Sequence, residues 1–183
     1  MAQRFHALTV KAKGGLLRVI LTDCQACAGF DPHTTPQHQH PPLESFRAIW
    51  DTGATSSVIT DDVVNRCGLK PTGMVQVQHA QGVSTAETFI VNIMLPQGVG
   101  FTNLTVTRGN LSPGVQMLLG MDVITKGDLS ITNVGGRTVF SFRVPSVAEV
   151  DFVEQSNAQT AHAQRVANRK QRKAKKHRKP WQR

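Results

Sequence analysis

Three groups of residues in this 183-residue chain are of types that do chemistry. The first is Asp51-Thr52-Gly53, which ends the apolar run of "FRAIWDTGATSSVI". Asp-Thr-Gly is good turn chemistry. A carboxylate at the end of a strand entering a core is also placed for acid–base work, since two carboxylates sharing one proton can both take and give it. The second is Cys24-Gln-Ala-Cys27, followed by His33, His38 and His40. Tetrahedral zinc takes two thiolates and two imidazoles. Here no second C-x-x-C follows, and the His spacing is irregular, although four residues separate His33 from His38. A flexible Pro/His-rich insertion is the plainer reading, and no metal or other cofactor is expected. A redox role is disfavoured because no helix start lies beside the pair to lower a thiol pKa.

The third group is the tail "RVANRKQRKAKKHRKPWQR". From Ala161 to Arg183 there are ten Lys/Arg and no acid, so residues 1–160 carry a net charge of only −1. Such a run attracts any polyanion, and Trp181 can stack on a base. Arg169, Lys170, Arg172, Lys173, Lys175, Lys176, Arg178, Lys179 and Trp181 are candidate nucleic-acid contacts. An anionic membrane surface, an acidic protein and a solvated arm without a partner are the alternatives.

The elements that must position these groups are mostly short strands. "ALTVKA" and "LLRVIL" around Gly14-Gly15 predict a first hairpin. Residues 24–44, with four prolines and no periodicity, predict a surface insertion. "SFRAIW" is a strand leading into Asp51. Thr60, Asp61 and Asp62 start a helix of about two turns that Gly68 and Pro71 stop. Its Cys67 is expected to be a small buried apolar residue. A long hairpin spans about Met74 to Leu95 and turns at Gln81-Gly82. "GFTNLTVTRG" and "VQMLLG" are strands, "MDVITKG" is a helical turn, and "DLSITNVGGRTVFSFRV" is a final hairpin. Ser146 and Glu149 have capping-box spacing, which predicts a helix from 146 to about 160 and a frayed or disordered tail beyond. Val147, Val150 and Val153 are spaced to pack its first turns.

The stretch around Asp51, the glycine-bearing hairpin at Gly82 and the "LLGMD" of Leu118 to Asp122 together resemble the retropepsins. These are the retroviral-type aspartic proteases, and the chain is most similar in character to their cellular single-domain form. The resemblance covers roughly Leu16 to Val144. It implies an all-β fold, a small closed acid-protease barrel with a flap hairpin, short helices and a basic C-terminal extension. It also implies a protease domain over 1–145, with the 24–44 insertion, and a C-terminal helix and tail over 146–183. Asp51 would be the catalytic acid, and Thr52 would bond across the dyad. Gly53 lets the backbone approach substrate. Ala54 and Thr55 would begin the substrate wall, with Gly120 packed beside the loop. His79, Ala80, Gln81, Gly82 and Val83 would form the flap tip, closing over an extended peptide.

No second Asp-Thr/Ser-Gly occurs in the chain. The resemblance therefore implies a homodimer with one Asp51 from each subunit, and a peptide or protein substrate. Asp122 is the intrachain alternative, but an acid there most simply caps the next helix. Two other functions stay open: a catalytically silent dimeric barrel whose tail binds nucleic acid, and a peptide-binding module without turnover. The N-terminal residues lack a continuous apolar h-region, and no run nears the roughly 20 apolar residues of a spanning helix. An intracellular, cytoplasmic protein without a transmembrane segment is expected. Three cysteines are odd in number and too few for a disulfide framework.

Overall fold

Alternation along the strand before Asp51 sets the core. Strand β3 (Glu44–Trp50) buries Phe46, Ala48 and Trp50 and turns Ser45 and Arg47 outward, the period-2 pattern of a sheet with one buried face. In the computed structural model, which describes residues 5–79 and 82–177, β3 belongs to a ring of six strands. The others are β2 (Leu21–Ala28), β4 (Val58–Ile59), β6 (Gly82–Leu95), β7 (Val99–Arg108) and β8 (Met117–Leu119). They run in the order β2-β3-β8-β4-β7-β6, and β6 pairs back onto β2 from Gln25↔Met94 to Ala28↔Val91. The sheet is thus a closed barrel. Strand β5 (Gly73–His79) lies outside the ring, paired only with the first half of β6.

A second, three-stranded sheet has β10 (Val139–Val144) between β1 (His6–Lys11) and β9 (Asp128–Thr132). The two sheets share one core. The Trp50 ring meets Phe140 and Phe142, each at 4.9 Å between centroids, while its Nε1 donates to Thr22 Oγ1 at 3.0 Å. A buried indole whose N–H is satisfied can fill the joint without a polar cost. Two short helices, α1 (Asp61–Arg66) and α2 (Met121–Ile124), follow β4 and β8. Thr60 takes the extended N-cap position of α1, and its carbonyl accepts from Val63 and Val64. Its hydroxyl makes no capping bond.

Three expectations are corrected. "LLRVIL" is not the second strand of a hairpin with β1: residues 16–20 lie in no strand, β1 pairs with β10, and β2, which starts only at Leu21, pairs with β3 and β6. The chain between β1 and β2 is tied to Thr138, through Ala12 N–H to its carbonyl, Leu17 N–H to its hydroxyl and its own N–H to the Gly15 carbonyl. Leu16, Leu17 and Val19 are consequently exposed. The surface insertion does not begin at residue 24, because Cys24, Ala26 and Cys27 are buried in β2. Only residues 29–43 leave the sheet, and Asn92 pins them: its Oδ1 accepts from the Phe30 N–H and its Nδ2 donates to the Phe30 carbonyl. Small Cys and Ala side chains gave β2 too little apolar weight to read as a strand.

The third correction concerns the C-terminal helix. The residues up to Val147 form one compact unit and those from Ala148 a second. In the second, α3 (Phe152–His177) starts six residues later than its capping-box spacing suggested. Asp151 caps it, its Oδ1 accepting from Val153 and Glu154 N–H at 2.7 and 3.0 Å. Ser146 instead donates its hydroxyl to Asp128. Val147, Val150 and Val153 are exposed. The helix also runs well past residue 160, because 153–177 lacks Gly and Pro and is rich in Ala, Gln, Lys and Arg, which favour helix.

All three cysteines are free thiols. Burial pushes the Cys24 thiol up from 9.0 to about 12 and Cys67 to about 11, and it raises Cys27 as well. Thiols raised on folding favour the folded state while protonated. That contribution is whole below pH 9.0 and fades towards about 12. Native protein at pH 8 should therefore react slowly with a thiol-disulfide chromogen, Cys67 first, and all three groups should react at once in denaturant. Prompt reaction of three thiols in the native protein would contradict this burial.

Candidate active site

Parallel pairing of β3 with β8 brings Trp50 opposite Leu119 and sets two chain turns side by side. Asp51 N–H donates to the Leu119 carbonyl at 3.0 Å, so the first turn starts on the second. The Asp51 side chain then organises its own loop, with Oδ1 accepting from Gly53 N–H at 2.8 Å. A β-carbon on Gly53 would sit 3.2 Å from that oxygen, so the turn leaves little room for a side chain.

The second turn is fastened to the first along its length. Met121 and Asp122 N–H donate to the carbonyls of Ala54 and Thr55, at 2.8 and 3.2 Å. Gly120 lies where the backbones nearly touch. A β-carbon there would meet the Ser56 carbonyl atoms at 2.8 Å and the Ala54 oxygen at 2.9 Å. These are backbone atoms that cannot swing aside, so glycine is needed for close approach rather than for an unusual φ.

The Asp122 carboxylate is taken up by hydrogen bonds within and between the two turns. Its Oδ2 accepts from Ser57 N–H at 2.9 Å, and its Oδ1 accepts from the Ser57 hydroxyl at 2.8 Å and Val123 N–H at 3.0 Å. The fully buried Ser57 hydroxyl accepts in turn from Gly120 N–H at 3.1 Å. Ser57 is the site residue that sequence reasoning missed. Its only signal was a run of small hydroxyl residues after Gly53, in which nothing marks the one that turns inward.

Asp51 is half-buried and opens on a groove of about 520 Å³. Gly53, Ala54, Thr55 and Ser56 form one wall. Val75, Gln76, Val77 and Gln78 of β5 form the other, with Val58 and Thr107 also contributing. The hairpin β5–β6 therefore overhangs the Asp51 loop, as a flap would. Thr52 is exposed beside the groove, and Gly120 is buried beneath it. Of the expected flap tip, Gly82 has φ +125° and Val83 is exposed, while Ala80, Gln81 and the His79 side chain lie outside the described residues.

The base of the β5–β6 hairpin is held by charge. Arg108 of β7 donates to Asp61 at 2.5 Å and to Glu87 of β6 at 2.7 Å. The Arg108 hydrogen bond keeps the Asp61 carboxyl below the usual carboxylate range. These groups are exposed, so the triad orients the hairpin more than it stabilises the fold.

The thiols and histidines are not gathered. Cys24 Sγ points inward to the Phe46 carbonyl and Met117 Sδ, whereas Cys27 lines an outer apolar pocket of about 250 Å³ with Phe30, Pro32 and His40. Residues three apart on a strand face opposite ways. Among the described residues, no group of three or more His, Cys, Asp or Glu is placed to hold a metal. The candidate contacts Arg169, Lys170, Arg172 and Lys173 lie exposed on α3. Lys175 and Lys176 fall on its last turn, and Arg178, Lys179 and Trp181 lie outside the described residues. No helix among the described residues is long and apolar enough to cross a membrane.

Residues 44–126 match the family model described as "gag-polyprotein putative aspartyl protease". Among solved structures, the chain is similar to a retropepsin-like aspartic protease from Rickettsia conorii, at 12% identity and a TM-score of 0.44, over 79% of this chain and 98% of that one. It is similar to the EIAV protease complexed with the inhibitor HBY-793, at 18% identity and a TM-score of 0.38, over 50% and 91%. It is also similar to the retroviral protease-like domain of Ddi1 from Leishmania major, at 15% identity and a TM-score of 0.36, over 74% and 100%. No curated protein matches the chain. The matched segment holds the Asp51 loop, the β5–β6 hairpin and the Gly120 turn.

Proposed function

We propose that the chain is an aspartic endopeptidase working as a homodimer, with Asp51 of each subunit forming one catalytic pair. The observation that carries this reading is the contrast between two acids. Asp51 opens on the groove under the flap strand, while Asp122 has both oxygens occupied by Ser57 and Val123. One subunit thus offers one carboxylate for chemistry that needs two.

In the pair, one proton is shared, because like charges so close do not both ionise easily. The unprotonated carboxylate takes a proton from water as the water oxygen bonds to the peptide carbon. The other carboxyl gives its proton to the carbonyl oxygen. Collapse of the resulting diol breaks the C–N bond: the leaving nitrogen takes a proton from the carboxyl that activated the water, and a diol hydroxyl returns one to the other carboxylate, which restores the single shared proton. Thr52, exposed beside Asp51, is free to reach across the two-fold axis. An extended peptide would lie between the Asp51 loop and β5 as an added strand, and Val58, Val75 and Val77 favour apolar side chains there. On this reading 1–145 is the catalytic domain and 146–183 an appendage.

The test counts new peptide termini by mass spectrometry after incubation with an unstructured protein mixture, over a dilution series of the enzyme. Specific activity should fall as dilution passes the dimer dissociation constant, in step with the sedimenting mass. Undiminished activity at concentrations where only monomer sediments would overturn the homodimer. A peptide protected from other proteases, with no new termini, would make the barrel a binding module instead.

A further inference from the structure

Outside the groove, the most unusual surface is the second half of α3. We infer that this helix carries a nucleic-acid-binding face made by Arg165, Arg169, Arg172 and Lys173, which holds phosphodiester groups without reading sequence. These positions follow the i, i+4, i+7, i+8 rule of one helix face. With Asn168 they form one continuous exposed polar face of the helix. Over about 12 Å of helix the face presents four cations, and no acid occurs from Ala161 onward. Three of the four are arginines, whose planar fork matches phosphate oxygens in pairs.

The back of the helix decides between nucleic acid and a membrane. A helix that lies in a lipid surface needs bulky apolar residues opposite its cations. Between Ala161 and Ala174 the apolar residues are Ala161, Ala163, Val166, Ala167 and Ala174, and only Val166 exceeds a methyl group. Such a face inserts poorly, whereas a slim basic helix fits the roughly 12 Å major groove of duplex DNA. This inference does not depend on the peptidase reading.

The experiment measures fluorescence anisotropy of a labelled 24-base-pair DNA duplex, its RNA counterpart and anionic phosphatidylserine vesicles with the full-length chain. Four phosphate contacts give a log–log salt slope of about −3.6, or roughly a 150-fold loss between 50 and 200 mM salt. The fourfold glutamine variant of Arg165, Arg169, Arg172 and Lys173 should lose more than half of that slope. Lys126→Gln, an exposed cation outside the helix, should change affinity less than twofold. A variant with lysine at all three arginine positions keeps charge and helix and must keep the slope, which guards against a glutamine variant that loses helicity. Tighter binding to DNA than to RNA would place the helix in the major groove, and equal binding would place it across the phosphates. Binding to vesicles but to neither duplex, or a glutamine variant with the parent's slope, would overturn the inference.

Discussion

Asp51→Asn should fold as the parent does and cut no peptide bond. The substitution is nearly isosteric, and the amide oxygen can still accept the Gly53 N–H that shapes the loop. What it loses is the ability to hold and release a proton. In a homodimer both halves of the pair are lost at once, so neither water activation nor protonation of the leaving group survives. Acid–base catalysis of this kind contributes about 10² to 10⁴ in rate, so activity should fall at least about a hundredfold. New termini would be compared for parent and variant from acidic to neutral pH, with thermal unfolding measured alongside. A variant cutting within tenfold of the parent rate would remove Asp51 from the chemistry, whatever its position in the groove.

Asp122→Asn should have the opposite character, with a large loss of stability and a smaller loss of rate. Every partner of Asp122 is a donor: Ser57 N–H, the Ser57 hydroxyl and Val123 N–H. An asparagine amide can satisfy only one side of that arrangement and turns an NH₂ towards a donor on the other. Hydrogen bonds to a charged group are worth about 1.5–3 kcal/mol each. Loss of one with a mismatch left behind should cost about 3 kcal/mol. For a domain of this size that lowers Tm by about 6–12 °C. Residual cleavage should persist below the new Tm, because the Asp51 loop keeps its own Gly53 bond. A thousandfold fall in kcat/KM with Tm unmoved would instead make Asp122 the second acid, and one chain would suffice.

Both predictions turn on what could and could not be seen in the chain. The turn at Asp51 and Gly53 was legible from local chemistry, an apolar strand ending in an acid, whereas the close approach of Gly120 to that turn was expected only through the family resemblance. The β5–β6 hairpin was legible from alternation around a turn. The Ser57–Asp122 tie was not, because it joins residues 65 positions apart and uses a serine no different from its neighbour Ser56. Strand β2 was hidden by its Cys and Ala residues, which read as the start of a Pro/His-rich insertion while the fold uses them as small buried filling. The first hairpin failed for a related reason: adjacency made "LLRVIL" the natural partner of β1, but β10 takes that place and Thr138 ties "LLRVIL" down as a loop at Leu17. For α3, a capping box at Ser146 was outbid by Asp151, since Asp128 had already claimed the Ser146 hydroxyl.

The pairing of β1 with β10 also bears on how the chain is made. Residues 6–11 leave the ribosome early, yet their hydrogen-bonding partners are residues 139–144. Translation at about 5–20 residues per second leaves β1 waiting for about 7 to 30 s, with Leu8 bare and half a ladder open. The barrel ring can close from residues 21–119 alone, but Phe140 and Phe142 reach Trp50 only at the end. The last strand synthesised in the first unit is thus the one that seals its core. A nascent chain cut short before Val139 would keep the Asp51 loop and its flap strands while its first strand remained a sticky edge.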